Sequence, residues 1–269
     1  MPTKKVINIL CYNETPSSLE TFEYLKIKLP KLGYMVAETF DYNAELIISI
    51  GGDGSFLRAL HKHNLPDIPI VGINTGNLGF FSETTPKGID DFLEKYITGD
   101  YFIEEIHPVK AKICTKNKCI ETEGINEIVV KANKSRTIHL SISVNDHLIQ
   151  NFSGDGILIA SSIGSTAYNY SAGGSIVDPS LEVLQITPLA PINSNAYRSF
   201  TSSVILPSNT IIKVNPEYRY EDSILLVNDG TEHYHTGITE ISFKLSDRKI
   251  KLLRLKDFNF WTRVISKFL

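Results

Sequence analysis

Glu45-Leu-Ile-Ile-Ser-Ile-Gly-Gly-Asp-Gly-Ser55 is the stretch on which the reading of this chain turns. Leu46 to Ile50, apolar but for Ser49, is a short run that ends at a pair of glycines and reads as a buried strand. It enters Gly51-Gly52-Asp53-Gly54 directly, and Phe56, Leu57 and Leu60 then fall on one side of a helix. Three glycines around one acid let a ligand approach the main chain closely, and a helix N-terminus offers N–H donors to an anion. The carboxylate would stand at the carboxyl end of a strand, where open α/β sheets bind ligands. The same tetrapeptide also suits a tight strand-to-helix turn with a capping Asp. It is neither a GxGxxG fingerprint nor a Walker A loop, and Gly154-Asp155-Gly156 does not complete the former.

Working outward, residues 1–100 alternate strand and helix signals, which implies an α/β domain with a mostly parallel sheet. Val6 to Leu10 reads as a first strand. Ser17-Ser-Leu-Glu20 has capping-box spacing and opens a helix burying Leu19, Phe22, Leu25 and Leu29. Gly33 ends that helix, Met35 to Phe40 reads extended, and Ile68 to Ile73 is a further strand. Ile89, Phe92, Leu93, Tyr96 and Ile97 lie at helical spacing.

Residues 101–255 lose the helical period. Short β-branched runs replace it, among them Val109–Cys114, Ile125–Val130, Ile138–Val144, Ile157–Ala160, Ile224–Val227 and Ile241–Leu245, with Asn145-Asp146 and Asn228-Asp229-Gly230 as hairpin turns. An all-β, sandwich-like second domain is expected. Residues 256–269 return to a helix, with Trp261, Val264, Ile265 and Phe268 at i, i+3, i+4 and i+7, which must dock on something larger.

The length of 269 residues is roughly 1.8 times a common domain size, consistent with two domains. Lys plus Arg number 27 against 30 Asp plus Glu, a net charge of −3, which argues against nucleic acid or an anionic membrane as partner. No apolar run is long enough to span a bilayer, and MPTKKVINIL lacks a signal-peptide core, so a soluble cytoplasmic protein is expected. Cys11, Cys114 and Cys119 cannot all pair. A disulfide framework is not expected, and Cys114 and Cys119, though able to face each other across a hairpin, are read as inert thiols.

Four further segments carry candidate chemistry. In Gly72-Ile-Asn74-Thr75-Gly76-Asn77-Leu78-Gly79-Phe80, Asn74 and the glycines suit a polar turn, and Phe80 is either a stacking face for a base or an ordinary core aromatic. Asn126-Glu127 suits a ribose diol, since an acid accepts from hydroxyls and an amide both donates and accepts; a solvated strand end is the plainer alternative. Ser153-Gly154-Asp155-Gly156 precedes Gly164-Ser-Thr-Ala-Tyr-Asn-Tyr-Ser-Ala-Gly-Gly174. That composition fits neither a plain strand nor a plain helix, but does fit a loop meeting sugar or phosphate. No HExxH or GxSxG is present; His61 and His63 would fall on different helix faces, and His233 and His235 would share a strand face but lack a nearby acid-rich run to complete a metal site.

Taken in order, these residues resemble the NAD kinase family. The resemblance rests on GGDGS (Gly51–Ser55), GINTGNLGF (Gly72–Phe80), NE (Asn126-Glu127), GDG (Gly154–Gly156), GSTAYNYSAGG (Gly164–Gly174), DPSLEVLQITPLAPIN (Asp178–Asn193) and NDG (Asn228–Gly230), and looks most like the compact enzymes of Gram-positive bacteria. It implies transfer of the ATP γ-phosphoryl group to the 2′-hydroxyl of the NAD adenosine ribose, in a cleft between an α/β domain and a β-sandwich, with the last helix returning to the first domain. It further implies a homodimer or homotetramer. Asp53 would be the general base, Gly51, Gly52 and Gly54 would admit phosphates to the backbone, and Mg²⁺ would bridge the ATP oxygens. Asn126 and Glu127 would hold the ribose or adenine edge, with Phe80 on the adenine. Asp155, Thr166, Ala167, Tyr168 and Ser171 would line the NAD pocket, and Ala190 and Ile192 would approach the nicotinamide end from a neighbouring subunit. Asn74 and Gly230 belong to the same motif set.

Two departures stand out: Ser153 replaces a basic residue common in relatives, and Thr231 follows Asp229-Gly230 where many carry Gln. Other GGDG kinases, acting on lipids or sugar phosphates, share the tetrapeptide. A phosphosugar kinase would cluster its arginines, whereas Arg58, Arg136, Arg198, Arg219, Arg248, Arg254 and Arg263 are dispersed along the chain. A non-catalytic dinucleotide-binding regulator is a third reading, disfavoured by the intact Asp53. ATP versus polyphosphate as donor, and NAD versus NADH as acceptor, are left open.

Overall fold

The structure, a computed structural model, describes residues 5–77, 79–134, 136–195, 198–217 and 224–268. Leu78 and Arg219 lie outside the described residues. The chain divides into two compact units, residues 1–106 with 249–269, and residues 107–248.

The first unit is built on β1 (Val6–Cys11), α1 (Pro16–Lys31), β2 (Met35–Val36), β3 (Leu46–Ile50), α2 (Asp53–Lys62), β4 (Ile70–Ile73), β5 (Ser82–Thr84), α3 (Ile89–Thr98) and β6 (Tyr101–Ile106). Its strands run in the order β2-β1-β3-β4, with β5 also on β4, and all of these pairings are parallel. Strand β3 is buried along its whole length, as its unbroken Leu-Ile-Ile-Ser-Ile sequence demands of a strand covered on both faces.

The second unit contributes β7 (Val109–Thr115), β8 (Cys119–Gly124), β9 (Glu127–Ala132), β10 (Ile138–Val144), β11 (His147–Gly154), β12 (Gly156–Ser161), α4 (Tyr168–Ser171), β13 (Val183–Leu189), β14 (Val204–Pro207), β15 (Ile212–Pro216), β16 (Ile224–Asn228), β17 (Thr231–Tyr234) and β18 (Ile238–Leu245). Two six-stranded antiparallel sheets result, β11-β10-β15-β18-β7-β8 and β14-β13-β12-β9-β16-β17. The inward residues of both, such as Ile113, Leu140, Val214 and Phe243 from one and Ile128, Val130, Ile159 and Leu226 from the other, form one apolar core. Such sharing is the signature of a sandwich. Both predicted hairpin turns have left-handed central residues, Asn145 and Asp146 at φ 47° and 66°, Asp229 and Gly230 at φ 44° and 83°. These are the values a two-residue turn needs to match strand twist.

The chain then re-enters the first unit through β19 (Ile250–Leu255) and α5 (Phe260–Phe268). Four expectations are corrected here. The domain boundaries expected at 101 and 255 fall at 107 and 249, because β19 inserts between β4 and β6, parallel to one and antiparallel to the other. Helix α1 starts two residues early: Thr15, not Ser17, caps it by accepting from the Ser18 amide, and Leu19 is left exposed. Helix α5 buries Phe260 and Val264, while Trp261 and Ile265 face outward, so its docking face is rotated from the apolar set chosen by spacing. Lastly, Cys114 and Cys119 form a disulfide. They are directly opposite in the β7–β8 register, with Cα atoms 4.1 Å apart; Cys11 is free.

Among the described residues no helix is long and apolar enough to cross a membrane.

Candidate active site

In the first unit, β3 delivers Gly51 and Gly52 to the start of α2, and Asp53 is its first residue. The Asp53 carboxylate turns to the loop after β4, accepting from the Phe80 amide at 3.0 Å and the Phe81 amide at 3.1 Å. Gly79 makes this approach possible, since a Cβ there would stand 2.1 Å from Asp53 Oδ1. The two glycine motifs, 27 residues apart from Asp53 to Phe80, are therefore one structure. Asn74 is consumed in shaping its own loop: its Nδ2 donates to Asn77 O at 2.7 Å and its Oδ1 accepts from the Gly76 amide at 3.0 Å.

Helix α5 lies over the same loop. Phe260 and Phe268 approach the Phe80 ring at centroid distances of 5.9 and 5.8 Å, Arg263 Nη1 donates to Gly79 O at 3.3 Å, and Lys267 Nζ stands 3.5 Å from Asp53 Oδ2. Phe80 keeps only 5% of its surface, so of its two readings the core aromatic describes its place in this unit. Beneath the loop, buried Arg254 on β19 donates to Phe80 O, Glu83 Oε1 and Glu104 Oε2 at 3.0, 2.8 and 2.7 Å. Burial pushes the Glu83 carboxyl up, and Arg254 opposes that. Sequence reasoning missed Arg254, Glu83 and Lys267, whose relation to Asp53 has no local signal.

In the second unit, Asn126 and Glu127 sit at the start of β9, and their placement depends on the Asn228-Asp229-Gly230 turn. The Asp229 carboxylate accepts from the Ile125, Asn126 and Glu127 amides at 2.6, 2.7 and 3.2 Å. Asp229 was not among the candidates; the only sequence signal was its place in the hairpin turn. From the other side, Ser161 Oγ donates to Ile125 O at 2.7 Å, and Gly164 lies flat on Asn126, where a Cβ would come within 2.0 Å of Asn126 O. The GSTAYNYSAGG segment is folded around Asn169, which is fully buried: its Nδ2 donates to Ser165 O and Ser175 O, and its Oδ1 accepts from Thr187. Thr166 is buried, Ala167 half-buried, and Tyr168 and Ser171 exposed.

Three polar atoms of this cluster, Asn126 Oδ1, Glu127 Oε2 and Asn228 Oδ1, are buried with no hydrogen-bond partner among the described residues. Buried acceptors of this kind are rare, and each one calls for an explanation. The Glu127 carboxyl is pushed up to about 8, first by burial and then by the Asp229 charge, against the opposing pull of the Tyr168 amide. At neutral pH it is therefore largely protonated and able to donate as well as accept.

The remaining candidates are dispersed in this unit. Ser153 is buried, its Oγ 2.7 Å from His139 Nδ1. Asp155 is exposed and lines a cavity of about 700 Å³ with Lys131, Lys134 and Arg136. Ala190 is exposed at φ 42°, Ile192 is exposed with its amide donating to Ser153 O at 2.8 Å, and Gly230 only completes its turn. Among the described residues no group of three or more His, Cys, Asp or Glu could hold a metal ion.

Residues 11–101 match the family model of the ATP-NAD kinase N-terminal domain, and residues 125–255 that of the ATP-NAD kinase C-terminal domain. The class is thus an ATP-dependent phosphotransferase. The chain is 41% identical to the NAD kinase of Finegoldia magna, over 98% of each chain, and 29% identical to that of Staphylococcus aureus strain JH9, over 84% of this chain and 85% of the relative. A crystal structure of an NAD kinase from Archaeoglobus fulgidus in complex with ATP matches with a TM-score of 0.78 at 26% identity, covering 97% of this chain and 99% of the other. Yeast NADH kinase complexed with NADH matches in fold, with a TM-score of 0.82 at 22% identity over 98% and 87%. The chain belongs to the NAD kinase family and is an enzyme.

Proposed function

We propose that this enzyme transfers the γ-phosphoryl group of ATP to the 2′-hydroxyl of the adenosine ribose of NAD, giving NADP. The observation that carries the acceptor is the trio of buried, unpartnered oxygens on Asn126, Glu127 and Asn228. A sugar diol supplies the hydroxyl donors they lack, while the protonated Glu127 donates in return. Asp155, Thr166, Ala167, Tyr168 and Ser171 line the NAD pocket, with Ala190 and Ile192 approaching the nicotinamide end from a neighbouring subunit. Ser153, engaged with His139, supplies no charge to the dinucleotide.

Asp53 is the general base. Two backbone amides fix its carboxylate, so lone pairs remain to receive the 2′-hydroxyl proton. Gly51, Gly52 and Gly54, at the N-terminus of α2, suit the triphosphate, because main-chain N–H groups and the helix dipole attract anions there. Mg²⁺ enters as part of the ATP substrate.

The enzyme acts in the cytoplasm as a homodimer or homotetramer. Edge strand β11 supports self-association, since it exposes Leu148 and Ile149 beside a sheet edge that is unpaired among the described residues. The test of the activity is to incubate the purified protein with NAD, ATP and Mg²⁺ and measure NADP. Bound NAD without product overturns the reading. Replacing ATP by polyphosphate, and NAD by NADH, in the same assay settles the donor and acceptor.

A further inference from the structure

We infer that Lys267, on the C-terminal helix, is a catalytic residue: its ammonium meets the phosphoryl group in transit beside Asp53. The inference rests on the proposed role of Asp53 as general base. A base must lie within about 2.6–3.2 Å of the hydroxyl it deprotonates. A cation 3.5 Å from Asp53 Oδ2 is therefore close to the attacking atom, and the phosphorus under attack is the next atom along.

Three observations separate this role from that of an incidental surface ion pair. Asp53 does not need Lys267 for its orientation, because each of its oxygens already accepts a main-chain N–H from the Gly79–Phe81 loop. Lys267 is itself aimed: its Nζ lies 4.9 Å from the Phe80 ring centroid, on a helix anchored by Phe260, Val264 and Phe268 and by the Arg263 bond to Gly79 O. Of the other cations at this loop among the described residues, Arg254 pairs with Glu83 and Glu104, and Arg263 donates to the loop carbonyl while also feeling the Asp53 and Glu83 charges. Lys267, one third exposed, can turn from Asp53 to an arriving anion.

In the step itself the ribose 2′-oxygen bonds to the γ-phosphorus and the bond from that phosphorus to the β,γ-bridging oxygen breaks. The electron pair leaves on the β-phosphate of ADP, and the hydroxyl proton passes to Asp53. Lys267 keeps its proton throughout and donates hydrogen bonds to the equatorial oxygens, where charge is spread in the transition state. A net charge of −3 over the chain gives no bulk attraction for that charge, so local groups must supply it, and Lys267 adds to the α2 amides and the metal that arrives with ATP.

The test uses the full-length enzyme with Lys267→Met, Lys267→Arg and, separately, Asp53→Asn. At saturating NAD and ATP, Lys267→Met is expected to lower kcat by about 10- to 100-fold with KM for NAD within about threefold, and Lys267→Arg to recover most of the loss. A Met variant that keeps more than half of the kcat overturns the inference. So does a loss that Arg fails to repair, because the side chain would then matter for packing and not for charge. Asp53→Asn reads the base independently. If that variant retains full kcat, the general-base reading fails whatever Lys267 does, and if the parent makes no NADP the activity itself is wrong.

Discussion

At the scale of single residues, Asp229 and Glu127 carry the most consequence. Asp229 satisfies three successive main-chain amides, so Asp229→Ala leaves them buried without an acceptor at a cost of about 2–4 kcal/mol, and it also loosens Asn126 and Glu127. Asp229→Asn keeps one acceptor oxygen and tolerates the left-handed backbone, so it should be clearly milder. Urea unfolding of the two variants checks the ranking. Glu127 gives a pH signature. Its folded carboxyl titrates at about 8, far above an ordinary Glu, so the folded state binds the proton more tightly than the unfolded chain. That stabilisation is fully present below about pH 4 and is lost as pH rises toward 8. Glu127→Gln should therefore resemble the parent in stability at pH 5 and exceed it by ~2–4 kcal/mol near pH 9, while binding NAD less tightly. Melting curves at the two pH values, with no ligand, give the answer; parallel shifts at both would count against it.

At the scale of elements, β19 decides how the Asp53 loop is supported. Arg254 brings one buried cation to Glu83, Glu104 and the Phe80 carbonyl. Removing it strands Glu83, which is 2% exposed. Arg254→Ala is expected to cost about 3–5 kcal/mol, and adding Glu83→Gln should return part of that by abolishing the unpaired charge. A double-mutant cycle in denaturant measures the coupling; additive losses would mean that the two side chains do not depend on each other. Helix α5 shows why spacing alone misassigns a docking face. Nine residues offer Phe260, Trp261, Val264, Ile265 and Phe268 within overlapping stripes, and only the partner surface selects Phe260, Val264 and Phe268 over Trp261 and Ile265.

At the scale of the whole molecule, the cysteines test the chemical state of the second unit. Thiol titration of the denatured, unreduced protein should find one free thiol, from Cys11, and three after reduction. Reduction should lower stability by about 2 kcal/mol, the loop-closure estimate for a bridge spanning five residues. Three thiols without a reductant would mean that the Cys114–Cys119 pair is kept open in the purified enzyme.

The local code settled much of this. An unbroken apolar strand ending in Gly-Gly-Asp-Gly, alternation of strand and helix before residue 100, and β-branched runs between Asn-Asp turns specify an α/β unit and a β-sandwich, because backbone preference and burial pattern act over a few residues. The Asn126-Glu127 pair and the glycine motifs were legible for the same reason: each needs its residue types side by side. What joins distant positions was not legible. That Gly79 receives Asp53, that Asp229 holds the amides of residues 125–127, that β19 inserts beside β4, and that Lys267 reaches the carboxylate all depend on contacts across dozens to hundreds of residues. Such contacts are selected by burial and hydrogen-bond satisfaction in the folded chain, which have no period for a sequence to display.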